Sequence, residues 1–308
     1  MNALGPALGA YVAMRRGLGY KFRHQEKSLS DFVRFMEARG ATVITRNLAL
    51  EWVTQLPDRH ATWRLRLTDV RGFARHLLSA EPRTEVPPTG LLPGLSRPRP
   101  YLYSKKEITE LLEAALDLPP ADGLRGWTYY CLLGLLAVSG LRISEALSLR
   151  REEVDLEQGV LTIRGTKFGK SRLVPIHCTT RRVLMQYAKR RDRQLCPPRS
   201  PYFFVAARGG RLRPERVRRV FRRLSRQTGL RGPEEHTGPR LHDFRHSFAV
   251  QTLLGWYRSG RNVELLLPVL STYLGHSCMR DTYWYLSTCP ELMGQAVRRL
   301  ENRWGRLT

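Results

Sequence analysis

Leu241-His242-Asp243-Phe244-Arg245-His246 is the stretch from which the rest of the chain can be read. His242 and Arg245 stand three apart, so a helix through them carries both on one face. The same region continues through Leu274-Gly275-His276-Ser277 and ends in Thr282-Tyr283-Trp284-Tyr285. Two histidines, an arginine and a tyrosine at these spacings form a set that can hold a phosphate and attack it. Tyrosine, with a free pKa of about 10, is a poor nucleophile near neutral pH. It needs a base or strong positive neighbours before it can attack phosphorus, and those have to come from elsewhere in the chain.

Positive charge is abundant. The 308 residues carry 52 Lys and Arg against 27 Asp and Glu, a formal net charge of +25. Such an excess points to a polyanionic partner, because each Lys or Arg that meets a phosphate releases a condensed counterion. Nucleic acid is favoured over an anionic membrane, since no basic amphipathic helix with an aromatic apolar face is present. Hydrophobic residues make up 42%, a globular composition. Cysteines at 131, 178, 196, 278 and 289 are odd in number and form no CxxC pair, which indicates neither a disulfide framework nor a Cys-type zinc site. No signal core or membrane-spanning run is evident, so a cytoplasmic, DNA-associated protein is expected.

Residues 1–80 read as a small helical domain. Leu29, Phe32, Val33 and Met36 recur three or four apart, as do Trp63, Leu67, Val70, Phe73, Ala74 and Leu77. Between these faces lie Arg15, Arg16, Lys21, Arg23, Arg64, Arg66, Arg71 and Arg75, candidates for contact with a DNA backbone or simply the solvated backs of helices. Six prolines between 82 and 100 exclude a continuous helix, so 81–100 is expected to be a linker.

A second domain, 101–308, begins with a capping box, Ser104 and Glu107, before a helix over 105–116. Trp127 to Val138 is apolar all round and predicts a buried core helix. It runs into Ser139-Gly140-Leu141-Arg142-Ile143-Ser144-Glu145. Arg142 and Glu145 at helical spacing make an ordinary surface ion pair, or an arginine oriented by a carboxylate to grip phosphate through a bidentate fork. Val160–Arg164 and Arg172–Ile176 alternate like strands around Gly165-Thr166-Lys167-Phe168-Gly169-Lys170, a hairpin. Tyr202–Ala206 reads as a short strand, and 216–226 as an amphipathic helix coated with arginine. Leu292, Met293, Ala296, Val297 and Leu300 give a last helix over 291–304.

In order and spacing, Ser-Gly-Leu-Arg142-Ile-Ser-Glu145, Thr166-Lys167 with Lys170-Ser-Arg172-Leu-Val-Pro, Leu-His242-Asp-Phe-Arg245-His, Leu-Gly-His276 and Tyr285 resemble the tyrosine recombinase (phage integrase) family. The likeness covers the second domain; the first resembles the family's core-binding domain more loosely. It implies a mainly α fold with a small β-sheet, a helical core-binding domain joined to a mixed α/β catalytic domain that together wrap DNA. By that resemblance Arg142 and Arg245 clamp the scissile phosphate and Glu145 supports the first arginine. Lys167 protonates the leaving 5′ oxygen, with Lys170 the competing choice; aligning Arg172-Leu-Val-Pro175 with the family's strand favours Lys167. His242 assists proton transfer, His276 hydrogen-bonds the phosphate and Tyr285 attacks. Lys170 and Arg172 join the expected DNA contacts.

The resemblance further implies a 3′-phosphotyrosine intermediate, rejoining without ATP, metal or other cofactor, and a homo-tetramer on double-stranded DNA that passes through a Holliday junction, possible exchange of the last helix included. A site-specific recombinase of a mobile element is the leading expectation. A type IB topoisomerase-like or telomere-resolving enzyme would use the same site, and a DNA-binding accessory protein with a dead site is a further alternative. His242 and His246, four apart with Asp243 after the first, weakly resemble the HExxH zinc pair. Asp in place of Glu and Arg245 beside the would-be cation count against a metal.

Overall fold

A computed structural model describes residues 3–55, 60–92, 99–121, 123–165, 171–232, 234–235 and 238–304. The chain divides into two compact units, Met1–Pro98 and Arg99–Thr308.

The first unit contains α1 (Leu4–Gly17), α2 (Arg23–Ala38), α3 (Arg46–Thr54) and α4 (His60–Leu77). The apolar positions that recur at helical spacing are those buried: Leu29, Phe32, Val33 and Met36 of α2 meet Trp52 and Val53 of α3 and Val70, Phe73 and Ala74 of α4. The Phe32 and Trp52 rings pack with centroids 5.0 Å apart. Thr45 caps α3 by accepting from the Leu48 amide.

The expected linker is only partly a spacer. Residues 81–92 lie against the helices: Thr84 is buried, Val86, Leu91 and Leu92 pack on the core, and the Glu85 amide donates to Ile44 O at 2.8 Å. Proline removes an amide donor but keeps its carbonyl, and Arg71 uses two of these, donating to Pro87 O at 2.7 Å and Pro88 O at 2.9 Å. The first unit therefore extends well past residue 80.

The second unit opens with α5 (Lys105–Leu116), α6 (Leu124–Ser139) and α7 (Ile143–Ser148). The capping box of α5 is present, Ser104 accepting from the Glu107 amide and Glu107 from the Ser104 amide. Helix α6 is the central post of this unit, packed by α5, α8 and α10, and Leu132, Leu133 and Leu136 are fully buried. Strands β1 (Val154–Asp155), β2 (Val160–Ile163) and β3 (Arg172–Pro175) form an antiparallel sheet in that order, with Leu161 opposite Val174. The antiparallel pairing of β2 with β3 matches the expectation, the link at 166–170 lying outside the described residues; the two-residue β1 adds an edge.

Then follow α8 (Cys178–Gln194), α9 (Pro214–Gln227), α10 (Asp243–Arg258), α11 (Val263–Leu274), α12 (Arg280–Thr288) and α13 (Pro290–Trp304). The strand expected at 202–206 is reduced to isolated bridges, Arg150 with Tyr202 and Val205 with Arg211. Phe203, Phe204 and Val205 are all buried, so apolar packing rather than a ladder holds that segment. One core joins α5 to α9 and the sheet; a second joins α10 to α13 and contains Tyr285.

Candidate active site

The two ends that matter are the C-termini of α6 and α11. Each closes on a glycine in the left-handed region, Gly140 at φ 60° and Gly275 at φ 70°. Space demands glycine as well: a Cβ on Gly140 would lie 2.6 Å from the Phe248 ring, and one on Gly275 would lie 2.7 Å from Arg172 Nη1. Helix C-termini leave carbonyl oxygens without intrahelical partners and concentrate negative potential, so they are natural seats for cations.

Arginines take those seats. Arg245, in the first turn of α10, donates to Gly140 O at 2.9 Å and Leu274 O at 2.8 Å and is 2% exposed. Arg142, which leads into α7, donates to Gly275 O at 3.1 Å. Arg172, on β3, donates to Tyr273 O at 2.8 Å. Three successive carbonyls at the end of α11 thus each hold a different arginine.

Glu145 ties two of the three together. Its carboxylate accepts from Arg142 at 2.8 Å and from both terminal nitrogens of Arg172, at 3.1 and 2.9 Å. Burial raises the Glu145 pKa, but the hydrogen bonds and charge of Arg172 and Arg142 outweigh it, so the carboxyl sits below its ordinary value and remains ionised. The side chain of Arg172, one of the expected DNA contacts, is 9% exposed and committed to Glu145 and Tyr273. It braces the carboxylate that braces Arg142.

Tyr285, on α12, joins this cluster through a hydrogen bond with Arg245. It is 2% exposed, whereas Tyr283 is 52% exposed, as a helix requires of residues two apart. Burial raises the Tyr285 pKa, and the charge of Arg245 and a hydrogen bond to it pull the other way; the net shift is upward. Arg245 is lowered to about 10, by burial first, partly offset by Tyr285.

His276 stands beside the tyrosine, ring centroids 5.9 Å apart and nearly stacked, its Nδ1 2.7 Å from Thr282 Oγ1. Burial and the charges of Arg245 and Arg142 lower its pKa to about 4. His242 precedes α10 and is also lowered, by burial and then by Arg245. Asp243, 1% exposed, accepts from Arg240 and fixes the start of the helix.

Five of the six expected catalytic residues therefore converge: Arg142, His242, Arg245, His276 and Tyr285. Lys167 and Lys170 fall in 166–170, outside the described residues. Residues whose place here the sequence did not indicate are Arg172 as a brace, His246, singled out only for a weak zinc pattern, and Thr282. Thr282 is fully buried, and a threonine six residues after His276 gave no signal of its own.

Among the expected DNA contacts of the first unit, several are engaged internally. Arg71 holds the proline carbonyls, Arg66 lies 4.3 Å over the Trp52 ring and Arg15 4.4 Å over the Tyr20 ring. Arg16 pairs with Glu26. Lys21, Arg23 and Arg64 are exposed. Helix α9 buries Val217, Val220, Phe221 and Leu224 and turns Arg218, Arg219, Arg222 and Arg226 outward. Among the described residues, no group of three His, Cys, Asp or Glu is placed to hold a metal ion, and no helix is long and apolar enough to cross a membrane.

A mainly helical fold whose buried arginines converge on one tyrosine defines a tyrosine recombinase. The chain belongs to the phage integrase family, whose family model matches residues 102–290. It is 53% identical to the integrase/recombinase-type protein y4rB of Sinorhizobium fredii, with 99% of each chain covered. It is 32% identical to the tyrosine recombinase XerD of Caulobacter vibrioides, covering 77% of this chain and 74% of that one. Among solved structures, the Tn1549 transposon integrase in complex with transposon right end DNA superposes with a TM-score of 0.69 at 16% identity, over 96% of this chain and 98% of that one.

Proposed function

We propose that this recombinase breaks a DNA strand by attack of the Tyr285 oxygen on the scissile phosphate, leaving a 3′-phosphotyrosine and a free 5′-hydroxyl, and rejoins strands by the reverse step. The observation that carries this is the placement of Tyr285 against Arg245, with Arg142 held nearby by Glu145 and the end of α11. Preorganised cations aimed at developing phosphorane charge are the main rate term in phosphoryl transfer. Arg245 and Arg142 supply them, His276 donates to a phosphate oxygen and His242 assists the proton traffic. Lys167 is the acid for the leaving 5′ oxygen.

The covalent bond conserves the energy of the broken phosphodiester, so rejoining requires neither ATP nor metal. Exchange between two duplexes proceeds through a Holliday junction on a homo-tetramer. Helix α13 packs on α10 and α12 of its own chain through Leu292, while Met293 and Val297 are about half exposed; that apolar pair is the surface we assign to contact with a neighbouring protomer. Exposed Lys21, Arg23 and Arg64 meet the DNA backbone.

A nicked suicide duplex tests the reading. The wild-type protein should form a covalent adduct in the presence of EDTA, Tyr285→Phe should form none, and Tyr283→Phe should retain it. An adduct that survives Tyr285→Phe, or one lost in EDTA and restored by zinc, would overturn the mechanism.

A further inference from the structure

One buried hydroxyl joins His276, just past the end of α11, to the helix that carries Tyr285. Thr282, in the first turn of α12, is 0% exposed. It lies three residues before Tyr285, so the two share a helix face. Its amide donates to Met279 O at 2.8 Å, and its Oγ1 lies 2.7 Å from His276 Nδ1. The direction of that last hydrogen bond decides what the histidine can do.

A threonine hydroxyl has one proton to give. Within a helix it often gives that proton to the carbonyl one turn back, as Thr128 does to Leu124 O at 2.9 Å and Thr252 to Phe248 O at 2.8 Å. Thr282 does not. Among the described residues its Oγ1 has a single hydrogen-bond partner, His276 Nδ1, and its burial keeps solvent from serving instead. A proton on Nδ1 would leave the hydroxyl proton without an acceptor, a cost that buried polar groups avoid. A lone pair on Nδ1 accepts it and satisfies both groups. A neutral imidazole carries its one proton on the other nitrogen, Nε2.

We propose that Thr282 is a positioning residue that holds His276 in the neutral tautomer protonated on Nε2, which makes the histidine a hydrogen-bond donor to the scissile phosphate and not a base in the cleavage step. The inference rests on the reading of His276 as a ligand of that phosphate. Nε2 has no protein partner among the described residues. Burial and the charges of Arg245 and Arg142 keep the ring from taking a second proton, its pKa being lowered to about 4. A neutral ring adds a directed N–H beside Arg142, Arg172 and Arg245 without adding a fourth like charge. The same hydroxyl anchors the ring to the helix of the tyrosine it stacks on, at a centroid distance of 5.9 Å.

The test uses the full chain with isotope-labelled histidine, His276 being assigned by the NMR signals that His276→Gln removes. Ring-nitrogen shifts separate a protonated nitrogen from one with a lone pair. The wild-type protein should show the proton on Nε2 and a hydrogen-bonded lone pair on Nδ1. Thr282→Val keeps the branched shape without the hydroxyl. It should move the Nδ1 signal and slow adduct formation on a suicide duplex about 10-fold, with DNA affinity unchanged. Thr282→Ser, which keeps the hydroxyl, should restore both signal and rate. A proton on Nδ1 in the wild-type protein, a wild-type rate in Thr282→Val, or equal loss in the Val and Ser variants would overturn the proposal. Should Thr282→Val fail to fold, the wild-type spectrum alone still decides the tautomer. A wild-type rate in His276→Ala is a different failure, that of the histidine as a phosphate ligand.

Discussion

Arg245 and Arg64 are the same residue type in opposite circumstances. Arg245 is 2% exposed and held by two helix ends and a tyrosine. Arg64 projects from α4 into solvent. The first unit spends its arginines on stacking, on surface pairing and on open charge; the second also turns arginines outward on α9 but draws Arg142, Arg172 and Arg245 into one cluster held by three successive carbonyls and a single carboxylate, Glu145. One carboxylate against three guanidinium groups leaves that cluster cationic and fixed in direction.

Removing partners exposes the contrast most sharply. Glu145→Gln strips from Arg142 and Arg172 the one carboxylate they share among the described residues, in a buried cluster, and loss of one member of a buried pair costs about 3 kcal/mol. Urea unfolding should show that loss together with reduced adduct formation. Glu26→Gln, which removes the acid from the exposed Arg16–Glu26 pair, should change stability by less than about 1 kcal/mol. Equal effects would break the distinction between the two regions.

Acidity probes the same boundary more gently. His242, His246 and His276 all have native pKa values lowered by burial, the latter two to about 4. A histidine depressed in the folded state takes up its proton first in the unfolded chain, near pH 6.5. Stability from these groups is complete above that pH and is lost as the pH falls toward the native values. The melting temperature of the free protein should therefore drop between about pH 6.5 and pH 5, above the range where carboxylates titrate. A flat profile would mean that the three rings are open to water.

The smallest effect belongs to the open charges. Arg64→Ala should leave stability within about 0.5 kcal/mol and lower the slope of log affinity against log salt by about 1. An unchanged slope would remove Arg64 from the DNA surface.

Much of this architecture was legible in the sequence, and the gaps have a common cause. Ser104 with Glu107, the apolar run through α6 and the helical spacing of α2 and α4 announce themselves because side chains carry the signal. Arg142, Arg245, His276 and Tyr285 stand in a recognisable order. What stayed hidden depends on backbone carbonyls, which every residue has. Arg172 looked like another cation for DNA because its partners are Glu145, 27 residues away, and Tyr273 O, 101 residues away. The proline stretch looked like a spacer because its missing donors were visible and its carbonyls, taken by Arg71, were not. His246 was seen only as part of a weak zinc pattern.

The last turn of α11 has a consequence for how this chain can vary in length. Tyr273, Leu274 and Gly275 hold Arg172, Arg245 and Arg142 in succession, and His276 follows at once. One residue inserted or deleted within α11 would rotate that turn by about 100° and shift every one of these contacts by a register. The turn at 259–262, ahead of the helix, carries none of them. Insertions should therefore be tolerated before Val263 and refused between Val263 and His276, and the spacing across that helix is the most rigid ruler in the site.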